Sequence, residues 1–394
     1  MKSIILVINA GSSSIKYKVF DVTSNNVLAN GQCEKIGNPM GIFSLKYNGK
    51  KIEEELPISD HQVGIKIILD ELQSKGIIHD LNEIKGIGHR IVMGGTAFPN
   101  STVVTDDVLK QLKAYIPLAP LHNPPEIETI EVFKKLLPNV KNVTVYDTSF
   151  HTTIPEFQGY ALNKEVMKKY QIKRYGAHGT SYRYITNKMQ NVLGKDKVNL
   201  VVCHLGNGAS ICAIKDSKSF NTTMGVTPLE GLVMGTRCGD IDPSIALYLI
   251  RNGMTVDQVD NLFNKESGLK GLVGTNDLRE IVQEIANNNQ DAIMAMETFS
   301  RRVAKYIVAY ANELEGKIDS IIFTAGIGEN NAKVLNLIFD KLHLFKLSIN
   351  QNALSEQYSD YKLISNSESA YAIYQVRTDE ELMIEQDVKT LLKL

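Results

Sequence analysis

Two strand–turn–strand segments with the same pattern, far apart in the chain, are the features that most constrain the fold of this sequence. The first, Leu6–Asp21, reads LVINAGSSSIKYKVFD, and the second, Val201–Ile214, reads VVCHLGNGASICAI. In each segment an apolar run enters a turn of small residues and an alternating run follows, which predicts a β-hairpin. One such hairpin is equally typical of a surface turn. Two copies favour related halves that hold an anionic ligand, because the amides and hydroxyls of small-residue turns can surround an anion.

A third glycine turn strengthens the interpretation that the ligand is a nucleotide. Residues 325–330, AGIGEN, follow the apolar strand Ser320–Thr324 and precede a helical pattern. None of the three turns ends in the Gly-Lys-Ser/Thr of a P-loop, and none has the dinucleotide-binding fingerprint. Asn9, at the end of the first strand, offers a side-chain oxygen that can hold a hydrated metal ion.

Composition bounds the class of protein. With 394 residues we expect two or three domains. The 43 basic and 44 acidic residues give a net charge of -1, which supports neither a nucleic-acid partner nor an anionic membrane surface. The apolar start, Ile4–Ile8, is too short for a signal-peptide core, and no stretch approaches the ~20 apolar residues of a spanning helix. Four cysteines without Cys-x-x-Cys spacing predict a reduced, cytoplasmic setting.

Periodicity predicts alternating strands and helices, and therefore an α/β fold. We expect Asn123 to cap a helix over Glu126–Leu137, and a long helix over Ala292–Leu314. The other predicted strands are Val27–Ile36, Gly41–Tyr47, Gly86–Met93, Asn142–Val145 and Tyr371–Val376. The other predicted helices are Gln62–Leu72, Ser244–Arg251 and Glu380–Leu392.

Charged residues at unusual positions point to phosphoryl transfer. Arg90 lies in an apolar strand just before two glycines, where it either pairs with a buried carboxylate or binds an anionic ligand. Arg237 lies in a glycine-rich segment, His122 and His178 lie in loops, and Asp147 ends a strand. Phosphoryl transfer requires a protein to align the reactants and neutralise spreading charge, and arginine contacts carboxylate or phosphate in bidentate fashion.

The chain resembles the acetate kinase family across nearly its whole length. The motifs that carry the resemblance, in order, are NAGSSSIKYKVFD, GHRIV with GG, LAPLHNPP, YDTSFH, YG with HGTS, HLGNGAS, TPLEGLVMGTRCGDIDP, TAGIGEN and TDEEL. The resemblance implies two duplicated actin-like (ribonuclease H-like) ATPase domains with a nucleotide cleft between them. The expected domains are residues 1–147 with the C-terminal helix 383–394, and residues 148–382, which would carry the nucleotide site and a dimer interface.

The resemblance also implies a role for individual residues. The implied catalytic residues are Asp147, His178 and Arg237. The implied substrate-binding residues are Arg90, Val92, Leu121, His122, Ala177 and Pro228, of which the apolar ones form a pocket for the acetate methyl group. The implied ATP-binding residues are Lys16, His204, Leu205, Gly206, Asn207, Gly208, Asp277, Leu278, Arg279, Gly326, Ile327, Gly328, Glu329 and Asn330. The implied metal-site residues are Asn9 and Glu380.

The function implied is reversible phosphoryl transfer from ATP to acetate, giving acetyl phosphate and ADP, by direct in-line transfer. The implied cofactors are ATP or ADP with Mg²⁺, or Mn²⁺ in its place, and the implied assembly is a homodimer. A propionate or butyrate kinase of the same fold is one alternative. A non-catalytic nucleotide-dependent switch is another, although such a switch has no need for Arg90 and Arg237.

Four positions depart from the family pattern. Met93 and Tyr182 stand where the family usually has histidine, Cys238 stands for serine, and Ala177 stands for phenylalanine. The charged positions are kept, so these departures leave open the choice of acyl group.

Overall fold

Two β-sheets organise the chain in the computed structural model, which describes residues 2–394. The chain divides into two compact units. The first contains the chain up to Ser149 together with Asp379–Leu394, and the second contains Phe150–Thr378. The C-terminal segment of the first unit therefore includes four residues more than the predicted 383–394.

The sheet of the first unit combines an antiparallel meander with parallel strands. Its strands are β1 (Ile4–Gly11), β2 (Ser14–Asp21), β3 (Val27–Glu34), β4 (Gly41–Tyr47), β5 (Lys50–Leu56), β6 (Ile84–Ile91), β7 (Thr102–Val103) and β8 (Lys141–Tyr146). The spatial order is β5-β4-β3-β2-β1-β6-β8-β7. Strands β1 to β5 pair antiparallel, whereas β6 runs parallel to β1 and β8 runs parallel to β6. The carboxyl ends of β1, β6 and β8 therefore meet at one edge.

Helices cover both faces of this sheet. They are α1 (His61–Ser74), α2 (Asp106–Ala114), α3 (Asn123–Leu136) and the C-terminal helix (Glu380–Leu392). Alternate residues of β1 point to opposite faces: Leu6 and Ile8 join one core cluster, and Ile5 and Val7 join another that includes Ile384 of the C-terminal helix. Burial on both faces explains why β1 is a continuous apolar run.

The second unit has a sheet of related topology. Its strands are β9 (Leu200–Leu205), β10 (Ala209–Lys215), β11 (Lys218–Thr222), β12 (Ser320–Thr324), β13 (Tyr361–Leu363) and β14 (Ala372–Val376), in the order β11-β10-β9-β12-β14-β13. The core order β11-β10-β9-β12-β14 repeats β3-β2-β1-β6-β8 of the first unit, with the same parallel and antiparallel pairings. The two hairpins singled out in the sequence, β1–β2 and β9–β10, occupy equivalent places.

The helices of the second unit include one long buried element. They are α4 (Lys164–Lys169), α5 (Gly179–Leu193), α6 (Ser244–Arg251), α7 (Val256–Lys265), α8 (Gly268–Val273), α9 (Leu278–Ala286), α10 (Gln290–Glu313), α11 (Ala325–Asn330), α12 (Ala332–Phe339) and α13 (Gln351–Ser355). Helix α10 carries apolar residues at helical spacing, such as Met296, Phe299 and Val303, into the main core of this unit. Within residues 2–394, no helix is long and apolar enough to cross a membrane.

Two local predictions were wrong. Helix α3 begins at Asn123 rather than Glu126, and Asn123 is not its cap, because its side chain bonds the backbone of Met93 instead. The third glycine turn is the short helix α11 itself, which starts at Ala325 with a positive φ of 65°. Its first amide donates to the Glu329 side chain one turn later, so the segment closes as a helix despite its two glycines.

Candidate active site

The first unit gathers three predicted residues at the carboxyl edge of its parallel strands. Asn9 lies near the end of β1, Arg90 near the end of β6, and Asp147 directly after β8. The strand register places them side by side, because Ile8 of β1 pairs with His89 of β6 and Arg90 pairs with Val145 of β8. Ligands of open α/β sheets commonly bind at such an edge.

Arg90 and Asp147 form a bidentate ion pair. Arg90 Nε donates to Asp147 Oδ1 at 3.0 Å, and Nη2 donates to Oδ2 at 2.7 Å. The Asp147 side chain is 1% exposed, and its backbone amide donates to the carbonyl of Ile91 at 2.9 Å. The pair fixes the guanidinium plane, because two of the three nitrogens of Arg90 and both carboxylate oxygens of Asp147 are engaged. The structure thus shows the buried salt bridge that was one of the two interpretations of Arg90.

Glu380, the first residue of the C-terminal helix, lies next to this pair. Its Oε2 is 3.8 Å from Arg90 Nε. Burial raises the pKa of Glu380 to about 7, Arg90 opposes that rise, and the charge of Asp147 adds to it. Arg90 supplies one positive charge beside two carboxylates, so a divalent cation fits the electrostatics of this edge. Among residues 2–394, no group of three or more His, Cys, Asp or Glu side chains forms a metal cage. Mg²⁺ requires no such cage, because it keeps several of its waters.

The first turn of α3 holds the backbone that follows Arg90. Asn123, which is 0% exposed, accepts from the Met93 amide at 3.2 Å and donates to the Met93 carbonyl at 2.9 Å. Glu126, also buried, accepts from the Val92 amide at 3.1 Å. Burial raises the pKa of Glu126 to about 8; the Val92 amide and Arg90 oppose this rise, and Asp147 adds to it. Sequence reasoning missed Glu126, because nothing in a helical pattern indicates that a glutamate faces the core.

The remaining predicted residues of the first unit differ in exposure. Val92 is buried and Leu121 is 39% exposed. His122, which directly precedes α3, is half-buried. Lys16 is exposed on β2, directly opposite Asn9 in the hairpin. Its neighbour Lys18 is the lysine that pairs with the start of the C-terminal segment, at 3.0 Å from Asp379 and 3.2 Å from Glu381.

The second unit brings the three predicted ATP-binding segments into one pocket. The pocket has a volume of about 150 Å³, and its lining includes Gly206 and Asn207 of the β9–β10 turn, Asp277 and Leu278 at the start of α9, and Ile327 of α11. Three chain segments that the sequence predicted separately therefore meet at the glycine hairpin.

Residues that the prediction missed complete this pocket, among them Gly235 and Asn276. The Gly235 amide donates to the Asn207 carbonyl at 2.9 Å, and Asn276 Nδ2 donates to Asn207 Oδ1 at 2.9 Å. A Cβ at position 235 would collide with the Asn207 side chain. Asn207 is thus held from two sides.

Some of the predicted ATP-binding residues form hydrogen bonds or ion pairs with other parts of the protein. Arg279 is 90% exposed and forms an ion pair with Asp277 at 2.6 Å. Glu329 accepts from the amides of Ala325 and Thr378 at 2.9 and 3.0 Å, so its carboxylate joins α11 to the segment after β14. Leu205 lies in the main core cluster, which leaves its backbone as its means of contacting a ligand. The last predicted residues of α11 are Gly326, Gly328 and Asn330, and Asn330 Nδ2 donates to the Gly326 carbonyl at 2.9 Å.

His178 and Arg237 lie beside the same glycine turn. A Cβ built at Gly208 would be 3.5 Å from His178 Nε2 and 3.7 Å from Arg237 Nη1. Arg237 Nη1 donates to the Pro228 carbonyl at 3.3 Å, which joins a second pair of predicted residues. Ala177, which directly precedes His178, is buried in the main core cluster of this unit.

The imidazoles of His178 and His204 stack, with ring centroids 4.1 Å apart and 19° between their planes. His178 Nδ1 is 2.8 Å from Ser210 Oγ, and His204 Nδ1 is 2.9 Å from Ser181 Oγ. Sequence reasoning did not foresee the contact of Ser210 with His178, because the two residues are 32 positions apart.

The repeated sheet topology, with a hairpin of small residues in each unit, defines the class of protein: an α/β protein built from two duplicated actin-like ATPase domains. The model of the acetokinase family matches residues 4–386. The chain is 47% identical over 392 residues to the acetate kinase of Mycoplasmoides gallisepticum, covering 99% of both chains. The crystal structure of Porphyromonas gingivalis acetate kinase has a TM-score of 0.91 at 39% identity, covering 99% of this chain and 100% of that one. A propionate kinase from Francisella tularensis has a TM-score of 0.93 at 40% identity, covering 98% and 99%. The chain belongs to the acetokinase family.

Proposed function

We propose that this chain catalyses the reversible transfer of a phosphoryl group from ATP to acetate, giving acetyl phosphate and ADP. The observation that carries the proposal is the Arg90–Asp147 pair at the carboxyl edge of β6 and β8. A guanidinium held there in a fixed plane suits a substrate carboxylate, which it can contact through two donors. Membership of the acetokinase family supports the same substrate class.

The substrate needs no general base. A carboxylic acid with a pKa near ~4 is already an anion at neutral pH, so the attacking oxygen carries its charge on arrival. Asp147 is engaged with Arg90 and 1% exposed, which suits a positioning role better than proton abstraction. Arg90 would offset the repulsion between the acetate carboxylate and the triphosphate.

The proposed metal is Mg²⁺, with Mn²⁺ as a substitute, held by Asn9 and Glu380. When bound, it would neutralise charge on the phosphate oxygens. An ionised Glu380 suits this role, and a bound cation would favour the ionised form that burial disfavours.

In the second unit, we assign the glycine turn of β9–β10 and the pocket beside it to ATP. His178 and Arg237, which lie next to Gly208, are assigned to the transferring phosphoryl group. Both present N–H donors, whose contacts with a spreading negative charge strengthen in the transition state. Lys16 is assigned to the nucleotide, and Val92, Leu121, His122, Ala177 and Pro228 to acetate.

A hydroxamate assay with ATP, Mg²⁺ and acetate tests the proposal. We expect acetyl phosphate to form with acetate as the better substrate, and activity to be lost in EDTA and restored by Mg²⁺ or Mn²⁺. Arg90→Gln should raise the KM for acetate strongly, whereas Arg301→Gln, an exposed control on α10, should not. ATP binding without turnover on any short-chain acid would instead favour a nucleotide-dependent switch.

Propionate is the second candidate substrate. The similarity to the Francisella tularensis propionate kinase favours it, as does the small side chain of Ala177. Comparing kcat/KM for acetate, propionate and butyrate decides between the acids.

We further propose a homodimer through α6. This helix has no buried residue and exposes Ile245, Leu247, Tyr248 and Ile250, at 41%, 54%, 65% and 38%. An apolar helix face of this kind is typical of a protein interface. Leu247→Glu should convert the dimer to a monomer in light scattering, whereas Val166→Glu on α4 should leave it intact. A monomeric wild-type protein would contradict the assembly.

Cytoplasmic localisation is also a proposal. It is supported by four free cysteines, Cys33, Cys203, Cys212 and Cys238, which suit a reducing compartment. Cell fractionation would test it.

A further inference from the structure

Tyr182 and Ser210 form a hydrogen-bonded chain that ends on His178. The Tyr182 hydroxyl is 2.5 Å from Ser210 Oγ, and Ser210 Oγ is 2.8 Å from His178 Nδ1. Tyr182 and Ser210 are both 0% exposed. Tyr182 is also one of the positions at which this chain departs from the pattern of the family it resembles.

The chemistry of the two hydroxyls determines the donor and the acceptor in each of these hydrogen bonds. Either hydroxyl can donate in the short contact between Tyr182 and Ser210, and the greater acidity of a phenol favours Tyr182 as the donor. Ser210 has a single proton, and accepting from Tyr182 leaves that proton for His178 Nδ1. A hydroxyl that donates to Nδ1 requires this nitrogen to be unprotonated, and a neutral imidazole then carries its proton on Nε2.

The position of the His178 ring makes this tautomer consequential. Nε2 faces Gly208 at the turn of the hairpin, on the side where Arg237 also lies. The stacked His204 ring, 4.1 Å away, disfavours two imidazolium ions side by side, so at least one of the two rings is neutral. Backbone geometry fixes the ring further: His178 has a left-handed φ of 58°, and the preceding carbonyl, that of Ala177, bonds His151 Nε2 at 2.9 Å.

We propose that Tyr182 is a positioning residue that acts through Ser210 to hold His178 in the Nε2–H tautomer. In this tautomer the Nε2–H donor of His178 faces the glycine turn of β9–β10 at Gly208. This proposal rests on the role proposed above for His178 and adds which residues keep the proton of its imidazole on Nε2. Tyr182 touches neither substrate nor nucleotide in this scheme. Without the Tyr182 hydroxyl, Ser210 can accept from Nδ1–H of His178. The Nδ1–H tautomer, which has no donor at Nε2, then becomes populated.

Nitrogen-15 spectra of the imidazoles test the proton arrangement without reference to activity. In full-length protein labelled at histidine, His178 is assigned by its loss in His178→Ala. Wild type should show a pyridine-type Nδ1 and a pyrrole-type Nε2. In Tyr182→Phe, both resonances should move towards intermediate values. Tyr310→Phe, which removes another buried tyrosine hydroxyl of the same unit, should leave them unchanged.

Kinetics test the catalytic consequence. Tyr182→Phe should lower kcat roughly 3- to 10-fold, the equivalent of one ordinary hydrogen bond, with KM for acetate and ATP unchanged. The phenylalanine ring keeps the edge contacts of Tyr182 with His151 and His204, so the variant should fold. Because Tyr182 acts only through Ser210, the double variant Tyr182→Phe/Ser210→Ala should be no slower than Ser210→Ala alone.

Three results overturn the proposal: wild-type spectra in Tyr182→Phe, wild-type kcat in that variant, or additive losses in the double variant. A His178→Ala enzyme with wild-type turnover would refute the proposed role of His178 and the catalytic part of this inference with it. The spectra would still decide whether Tyr182 sets the tautomer, so the two failures can be told apart.

Discussion

Replacing Glu126 with glutamine should change how the stability of the first unit depends on pH. Glu126 is 3% exposed on α3, and its carboxylate accepts from the Val92 amide. The side chain of glutamine has nearly the same shape and keeps an oxygen for that bond, but it does not titrate. The substitution therefore isolates the effect of the buried carboxyl group, which faces Arg90 and Asp147 as its charged neighbours.

The magnitude follows from the pKa. Burial, the largest cause, raises the pKa of Glu126 from 4.5 to about 8 in the folded protein. The folded state therefore holds a proton that the unfolded state releases above pH 4.5, and the stability of the wild type falls as pH rises through this interval. Each pH unit between the two values costs about 1.4 kcal/mol. From pH 5 to pH 8, the stability of Glu126→Gln relative to wild type should rise by about 3.5 kcal/mol, slightly less than three full units because the group is half ionised at its folded pKa.

Urea denaturation of the metal-free protein at several pH values, followed by circular dichroism, measures this difference. Hydrogen exchange of peptides from β6 and α3 localises it to the first unit. The raised pKa of Glu380 affects both proteins equally and cancels in the comparison. Glu128→Gln, an exposed position on the same helix, is the matched control and should track wild type. A stability difference that is independent of pH, or that favours wild type at high pH, would refute the reasoning, because Glu126 would then be ionised and paired in the folded protein.

The other predictions concern the proposed catalytic residues and the acyl site. Arg237→Ala should lower kcat by about 10²-fold or more and leave ATP affinity in calorimetry nearly unchanged, since its contact strengthens in the transition state; near wild-type turnover would exclude this role. Asp147→Asn removes the charge that holds Arg90, so turnover should be poor, and activity assayed from pH 7 to 9 should show no recovery. A rate that recovers with alkalinity would indicate a true general base. Ala177→Phe should depress kcat/KM for propionate more than for acetate, by up to the ~1–3 kcal/mol that one methylene is worth. An unchanged ratio would place Ala177 away from the acyl site.

Local sequence patterns were sufficient for most of the regular structure. The predicted helices Ser244–Arg251 and Glu380–Leu392 have the bounds of the observed ones, and the hairpins β1–β2 and β9–β10 are confirmed. These elements are encoded by periodicity and by turn residues within a few positions of each other. The equivalence of the two sheets was also accessible, because each half repeats the same strand–turn–strand pattern.

Side-chain partners were less accessible. The sequence marked Arg90 as an arginine in an apolar strand but left its partner open, and the pairing with Asp147 joins residues 57 positions apart. Asn123 has the residue type of a helix cap, yet its side chain bonds Met93 because α3 begins one turn earlier and packs against the end of β6. A capping preference is local and weak, and packing overrides it.

What the sequence determined by itself was the order of the elements, the two related hairpins and the residue types that suit phosphoryl transfer. Only the tertiary structure decided which of those residues share an environment. It places Glu380 beside Arg90 and Tyr182 behind Ser210, and it buries Glu126 near an ion pair. The physical reason is that periodicity depends on neighbours in the chain, whereas burial and charge pairing depend on neighbours in space, which strand order and helix packing alone establish.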